Sequence, residues 1–100
     1  MKPTENSMKV MARILDKITL PKTYINNYIK NIISFYISET NKNEKFKNAK
    51  FIAIFVNKLL DNKVLENIDE IPNEITYLFE NENEEINKLK MRIIEQKKIC

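Results

Sequence analysis

The chain has no glycine in 100 residues. Tight hairpin turns and phosphate-cradling loops both lean on glycine, which alone adopts positive φ without steric penalty. A β-rich fold and a P-loop are therefore poor fits. A helical fold needs few left-handed positions, mainly at helix ends, and asparagine tolerates them best among the other residues. Asparagine stands in nearly every junction of this sequence. The reading is all-α, a compact array of four to five antiparallel helices built from α-solenoid-like helical hairpins, in one domain over residues 1–100. Residues 1–5 read as a loose start and residues 95–100 as a fraying end. A chain of this size buries roughly 60–65% of its unfolded surface, enough for a modest core.

Hydrophobic spacing places the helices. Met8, Met11, Ile14, Leu15 and Ile18 give an apolar face to a helix over about residues 6–18, capped by Asn6 or Ser7. Leu20 precedes Pro21 and is predicted extended. Pro21 is predicted in the first turn of a second helix reaching about Ser38. There Tyr24, Ile25, Tyr28, Ile29, Ile32, Ile33 and Tyr36 recur at spacings of three and four, the strongest periodic signal in the chain. After a polar loop over residues 39–43, a third helix is predicted from about Glu44 to Leu60. Its run Phe51–Val56 is six apolar residues long, which on a helix implies burial on all sides. A buried strand is the rival reading. The helical one is preferred because the pattern extends to Phe46, Ala49, Leu59 and Leu60. Asn62 is the candidate left-handed cap. Val64, Leu65 and Ile68 lead to a fourth helix that starts near Pro72 and turns Ile71, Ile75, Leu78 and Phe79 inward. The last helix spans about residues 84–97, with Ile86, Leu89, Ile93 and Ile94 on one face.

The chemistry of catalysis is sparse. The chain has no histidine, so the commonest general base and metal ligand is missing, and the serines, threonines and Cys100 lack a local activating pattern. Glu80, Glu82, Glu84 and Glu85 crowd together, but they read as a solvated junction without the aspartates and glycine turn of a calcium loop. No catalytic, cofactor or metal site is expected, and no small-molecule ligand. The single cysteine permits no intrachain disulfide. The opening residues lack a signal peptide's apolar core, and no run approaches a membrane span. These features predict a soluble, intracellular protein; the expected location is the cytoplasm, with the nucleus second.

Charge is uneven along the chain. Residues 1–65 carry net +7, residues 66–85 net −8 and residues 86–100 net +4. Complementary helix faces account for this without a ligand. A nucleic-acid footprint would want a denser basic face with arginine. Lys47, Lys50 and Lys58 on the third helix are candidate partner-binding residues, together with Tyr28 and Tyr36 on the second. The tyrosines read first as core packing with hydroxyls at the rim, and second as aromatic anchors for a partner.

Three stretches, SMKVMARI (7–14), LPKTYINNYIKNII (20–33) and FIAIFVNKLLDNKVLENID (51–69), resemble the C-terminal domain of subunit eleven of the CCR–NOT mRNA deadenylase complex. Leu20, Pro21, Tyr24, Tyr28, Ile29, Asn31 and Ile33 stand at that family's pattern positions. So do Phe55, Leu59, Asn62, Lys63 and Val64. Lys47 and Lys50 stand in for the family's arginine-containing third helix. The resemblance implies a non-enzymatic protein-interaction module that recruits protein partners, CCR–NOT subunits or regulators, for poly(A) shortening and mRNA turnover, with RNA a secondary partner. The alternative is a stand-alone basic helical domain that binds nucleic acid.

Overall fold

The computed structural model describes residues 5–66 and 70–99. The expectations for residues 1–4, Ile68 and Cys100 lie outside them. Among the described residues the helical elements are, in order, α1 (Glu5–Lys17), α2 (Lys22–Ser38), α3 (Lys42–Asp61), a 3₁₀ helix (Asn73–Glu80) and α4 (Glu84–Ile99). Among the described residues there is no strand, so the Phe51–Val56 run is helix.

Successive elements reverse direction. Tyr28 meets Phe55, and Lys45 lies over Tyr36, so α2 and α3 run opposite ways. Asn26 donates to the Glu70 carbonyl, and Tyr36 donates to Glu80, so the 3₁₀ strip runs back along α2. Asn57 then reaches Glu85, and Asp61 pairs with Lys88 and Arg92, so α4 ascends with α3. Helix α3 is the hub and packs against α1, α2 and α4. The radius of gyration, 12.8 Å, matches the about 13 Å of a compact domain of 100 residues.

Side chains do the work of glycine at the turns. The Glu39 carboxylate accepts from the Thr40 and Asn41 amides, and Asn41 Oδ1 accepts from the Glu44 amide at 3.1 Å. That cap starts α3 at Lys42, two residues before the predicted Glu44. Asn83 caps α4 the same way, accepting from the Glu85 amide at 2.9 Å. Glu84 and Glu85 in its first turn suit the helix dipole. Pro21 does not open the first turn of α2. Its ψ of 142° is extended, and it serves as the N-cap residue. Pro72 precedes the 3₁₀ helix in the same manner, at ψ 146°.

The left-handed residue after α3 is Lys63 (φ 61°), not Asn62 (φ −87°). The Val64 amide reaches the Leu59 carbonyl and the Lys63 amide the Leu60 carbonyl, a complete Schellman closure. Asn62 instead donates its side-chain amide to Asp16, tying the end of α3 to α1.

The core follows the predicted stripes with corrections of phase. Ile25, Ile29, Ile32, Ile33 and Tyr36 of α2 are buried, but Tyr24 is exposed. Helix α1 turns Met8, Ala12 and Leu15 inward, while Ile14 and Ile18 are exposed. In α3 the apolar run is not buried all round: Ile54 is 38% exposed, and Phe46 equally so. On α4, Ile86, Leu89 and Ile93 are buried and Ile94 is exposed. The segment after Pro72 is a 3₁₀ helix rather than an α-helix. Its buried residues Ile75 and Leu78 lie three apart, as does the buried N-cap Pro72 from Ile75, which is the repeat that a 3₁₀ helix brings onto one face.

Candidate partner-binding surface

Helix α3 has three packed sides and one open one. The open side carries Phe46, Lys50, Ile54 and Lys58, all exposed and spaced four residues apart, which forms a single ridge along the helix. Beside the ridge, α1 and α3 leave a groove of about 160 Å³, lined by Met8, Lys9, Ala12, Phe51, Ile54, Phe55 and Lys58. Its floor is apolar, and Lys58 stands at its rim.

The five sequence-predicted contact residues separate on this frame. Lys47, Lys50 and Lys58 are all exposed on the outer side of α3. Lys47 lies 3.9 Å from the Glu44 carboxylate one turn back. Tyr28 is half-buried, its ring tilted against Phe55 at 5.5 Å, so it backs the groove wall rather than facing solvent. Burial pushes its phenol pKa up, against the opposing pull of a hydrogen bond with Ser7.

Tyr36 does not belong to a surface at all. It is 1% exposed. Its hydroxyl donates to Glu80 Oε1 at 2.6 Å and accepts from the Asn81 side-chain amide at 2.7 Å. Lys45 covers its ring at 5.1 Å from the centroid. Burial first, and then the Glu80 carboxylate beside it, push its pKa up to about 12. The contact reading of Tyr36 is corrected on these grounds: the side chain locks α2 to the end of the 3₁₀ helix.

A second hollow, about 340 Å³, lies between the α1–α2 turn and the end of α3, with Leu15, Lys22, Ile25 and Lys63 among its walls. Lys22 there is already engaged by the Val64 carbonyl and the Glu70 carboxylate. Within the acidic cluster, Glu80 is taken up by Tyr36 and Lys45, and Glu85 by Asn57. Among the described residues, no group of three or more histidine, cysteine, aspartate or glutamate side chains is placed to hold a metal ion. Nor is any described helix long and apolar enough to cross a membrane.

Phe46, Ile54, Met8 and Ala12 were missing from the sequence-level candidates. The four-residue spacing of Phe46, Lys50, Ile54 and Lys58 was a usable signal. It was hidden because Ile54 sits inside a six-residue apolar run that reads as wholly buried.

The fold and this surface together define a small all-α domain whose central helix leaves one basic and apolar ridge uncovered. The chain belongs to the family of CCR4-NOT transcription complex subunit 11, whose family model matches residues 1–93. No curated protein and no solved structure matches the chain.

Proposed function

We propose that this chain is a non-enzymatic protein-interaction module of the CCR4-NOT machinery, recruiting protein partners for poly(A) shortening and mRNA turnover in the cytoplasm and nucleus. The family match over residues 1–93 carries this reading. The open side of α3 supports it, because a partner needs accessible charge to be steered and apolar surface to be held. Lys47, Lys50 and Lys58 supply the charge, and Phe46 and Ile54 the apolar surface. The chain's part in poly(A) shortening is recruitment, and cutting belongs to other subunits.

The test has two halves. The tagged chain, expressed in cells, recovers CCR4-NOT subunits in a pull-down. Tethered to a reporter transcript, it shortens the poly(A) tail. Reversing Lys47 and Lys50 to glutamate slows partner association while leaving the melting curve unchanged, since exposed charges contribute little to stability. Recovery of nucleic acid alone, lost at moderate salt, would replace this reading with the nucleic-acid one, because phosphate-driven binding falls steeply with salt.

A further inference from the structure

We infer that the Phe46–Lys50–Ile54–Lys58 ridge, with the groove beside it, binds one amphipathic helix of a partner protein, presenting apolar anchors two turns apart and carboxylates between them. This names the contact surface and partner chemistry of the interaction role proposed above and rests on that role.

The geometry sets the spacing. Residues eight apart on a helix lie about 12 Å apart along its axis. Phe46 and Ile54 are one such pair, and Lys50 and Lys58 are another, offset by one turn. Apolar and cationic steps therefore alternate along a single line. A facing helix with the reverse alternation, apolar then acidic, meets every step.

Charge decides the sign of the partner. Lys22, Lys45, Lys47, Lys88 and Arg92 all have a carboxylate within ion-pair distance. Among the described residues Lys50 and Lys58 have none, and both are exposed. Of the α3 cations, Lys45 and Lys47 are paired among the described residues, whereas Lys42, Lys50 and Lys58 are not. The last two stand on the ridge, where carboxylates from outside can meet them.

Size decides between a peptide and a small molecule. Pockets for small molecules run to about 300–1,000 Å³, and this groove holds about 160 Å³. That is space for one bulky side chain, the anchor of a helix whose remaining length lies on the ridge. Nucleic acid is the weaker fit, because the ridge offers a single exposed ring, Phe46, whereas binding a strand calls for rings under successive bases. Phe51 and Phe55 turn inward toward α1.

The probe is a labelled helical peptide with leucines eight residues apart and a glutamate midway between successive leucines, four residues from each, all on one face. It is compared with the same peptide carrying lysine for glutamate and with labelled oligo(A), each titrated against the full chain by fluorescence anisotropy. The acidic peptide is expected to bind best. The double variant Lys50→Glu/Lys58→Glu loses it by about tenfold or more and gains the lysine peptide, and Ile54→Asp weakens the acidic peptide by about tenfold, as loss of a central anchor does. Unchanged dichroism melts of the variants establish that the fold persists. Equal affinity for both peptides, wild-type binding by the double variant, or a preference for oligo(A) would overturn the proposal. Failure of the groove and failure of the broader role are distinguishable. If the double variant still recovers CCR4-NOT subunits as well as wild type, the ridge is wrong and the role stands.

Discussion

Two residues show how single side chains manage what the composition withholds. Lys63 occupies the left-handed position that ends α3, a conformation costing a residue with a Cβ roughly 1–2 kcal/mol. Glycine would remove that penalty, although it adds flexibility to the unfolded chain that offsets part of the gain. Lys63→Gly is therefore expected to stabilise the domain by about 0.5 kcal/mol. A thermal melt would show this as a rise of about 3 °C, and a fall would mean that the Lys63 side chain holds something glycine cannot.

Tyr36 makes the second case. Its pKa stands near 12 in the folded chain, above the usual value of about 10. A phenol whose pKa is raised by folding contributes stability that is fully present below pH about 10 and drains away as pH climbs toward 12. Urea midpoints measured across that window should fall more steeply for wild type than for Tyr36→Phe. Parallel curves would show that the buried hydroxyl does not govern alkaline unfolding. None of this was legible at the level of single residues, because the hydroxyl's partners Glu80 and Asn81 lie 44 and 45 positions away.

Among the elements, the 3₁₀ helix departs furthest from its sequence reading. The sequence marks Ile75 and Leu78 as inward-facing, but a repeat of three also fits an α-helical pattern. Eight residues is long for this conformation, since runs beyond three or four are uncommon. What sustains it is burial of one eclipsed face against α2 and α4. Leu78 is fully buried, whereas its neighbour Tyr77 is 56% exposed. Leu78→Ala should cost about 2–5 kcal/mol, and Tyr77→Ala should stay within about 0.5 kcal/mol of wild type. Similar losses for both in a denaturant titration would indicate an α-helical phase at this segment. Helix α1 shows the opposite error. The spacing predicts the larger Ile14 and Ile18 inward, yet both are exposed and the small Ala12 is the buried residue.

At the scale of the molecule, α3 shares its core with α1, α2 and α4, so no pair of helices has an independent interior. Unfolding is expected to be a single transition, with helical dichroism and tyrosine fluorescence changing together. A fluorescence change that precedes the loss of helix would mean that one layer, α1 above all, detaches first. Two ties against such detachment are visible: the Asn62 to Asp16 hydrogen bond, and the packing of Met8 and Ala12 on α3. Across the other side, Arg92 pairs with Asp61 and donates to the Asn57 carbonyl, clasping α4. That guanidinium holds the Asp61 carboxyl below its ordinary pKa.

Local chemistry determined the helical class, an array of four to five elements and most of their boundaries. Glycine's absence, the three-and-four spacing and the polar junctions all act within a few residues of one another, so a sequence displays them directly. The match of Leu20–Ile33 and Phe51–Asp69 to one family was likewise legible, since capping and core residues keep their spacing. The open side of α3 was decided by packing. Six consecutive apolar residues cannot reveal which one lies uncovered when only three neighbours surround the helix. That depends on where α1, α2 and α4 dock, and docking is set by contacts such as Asn57 with Glu85, 28 residues apart. The same physics moved Tyr36 from a candidate contact into the core and left Ile54 facing water between Lys50 and Lys58.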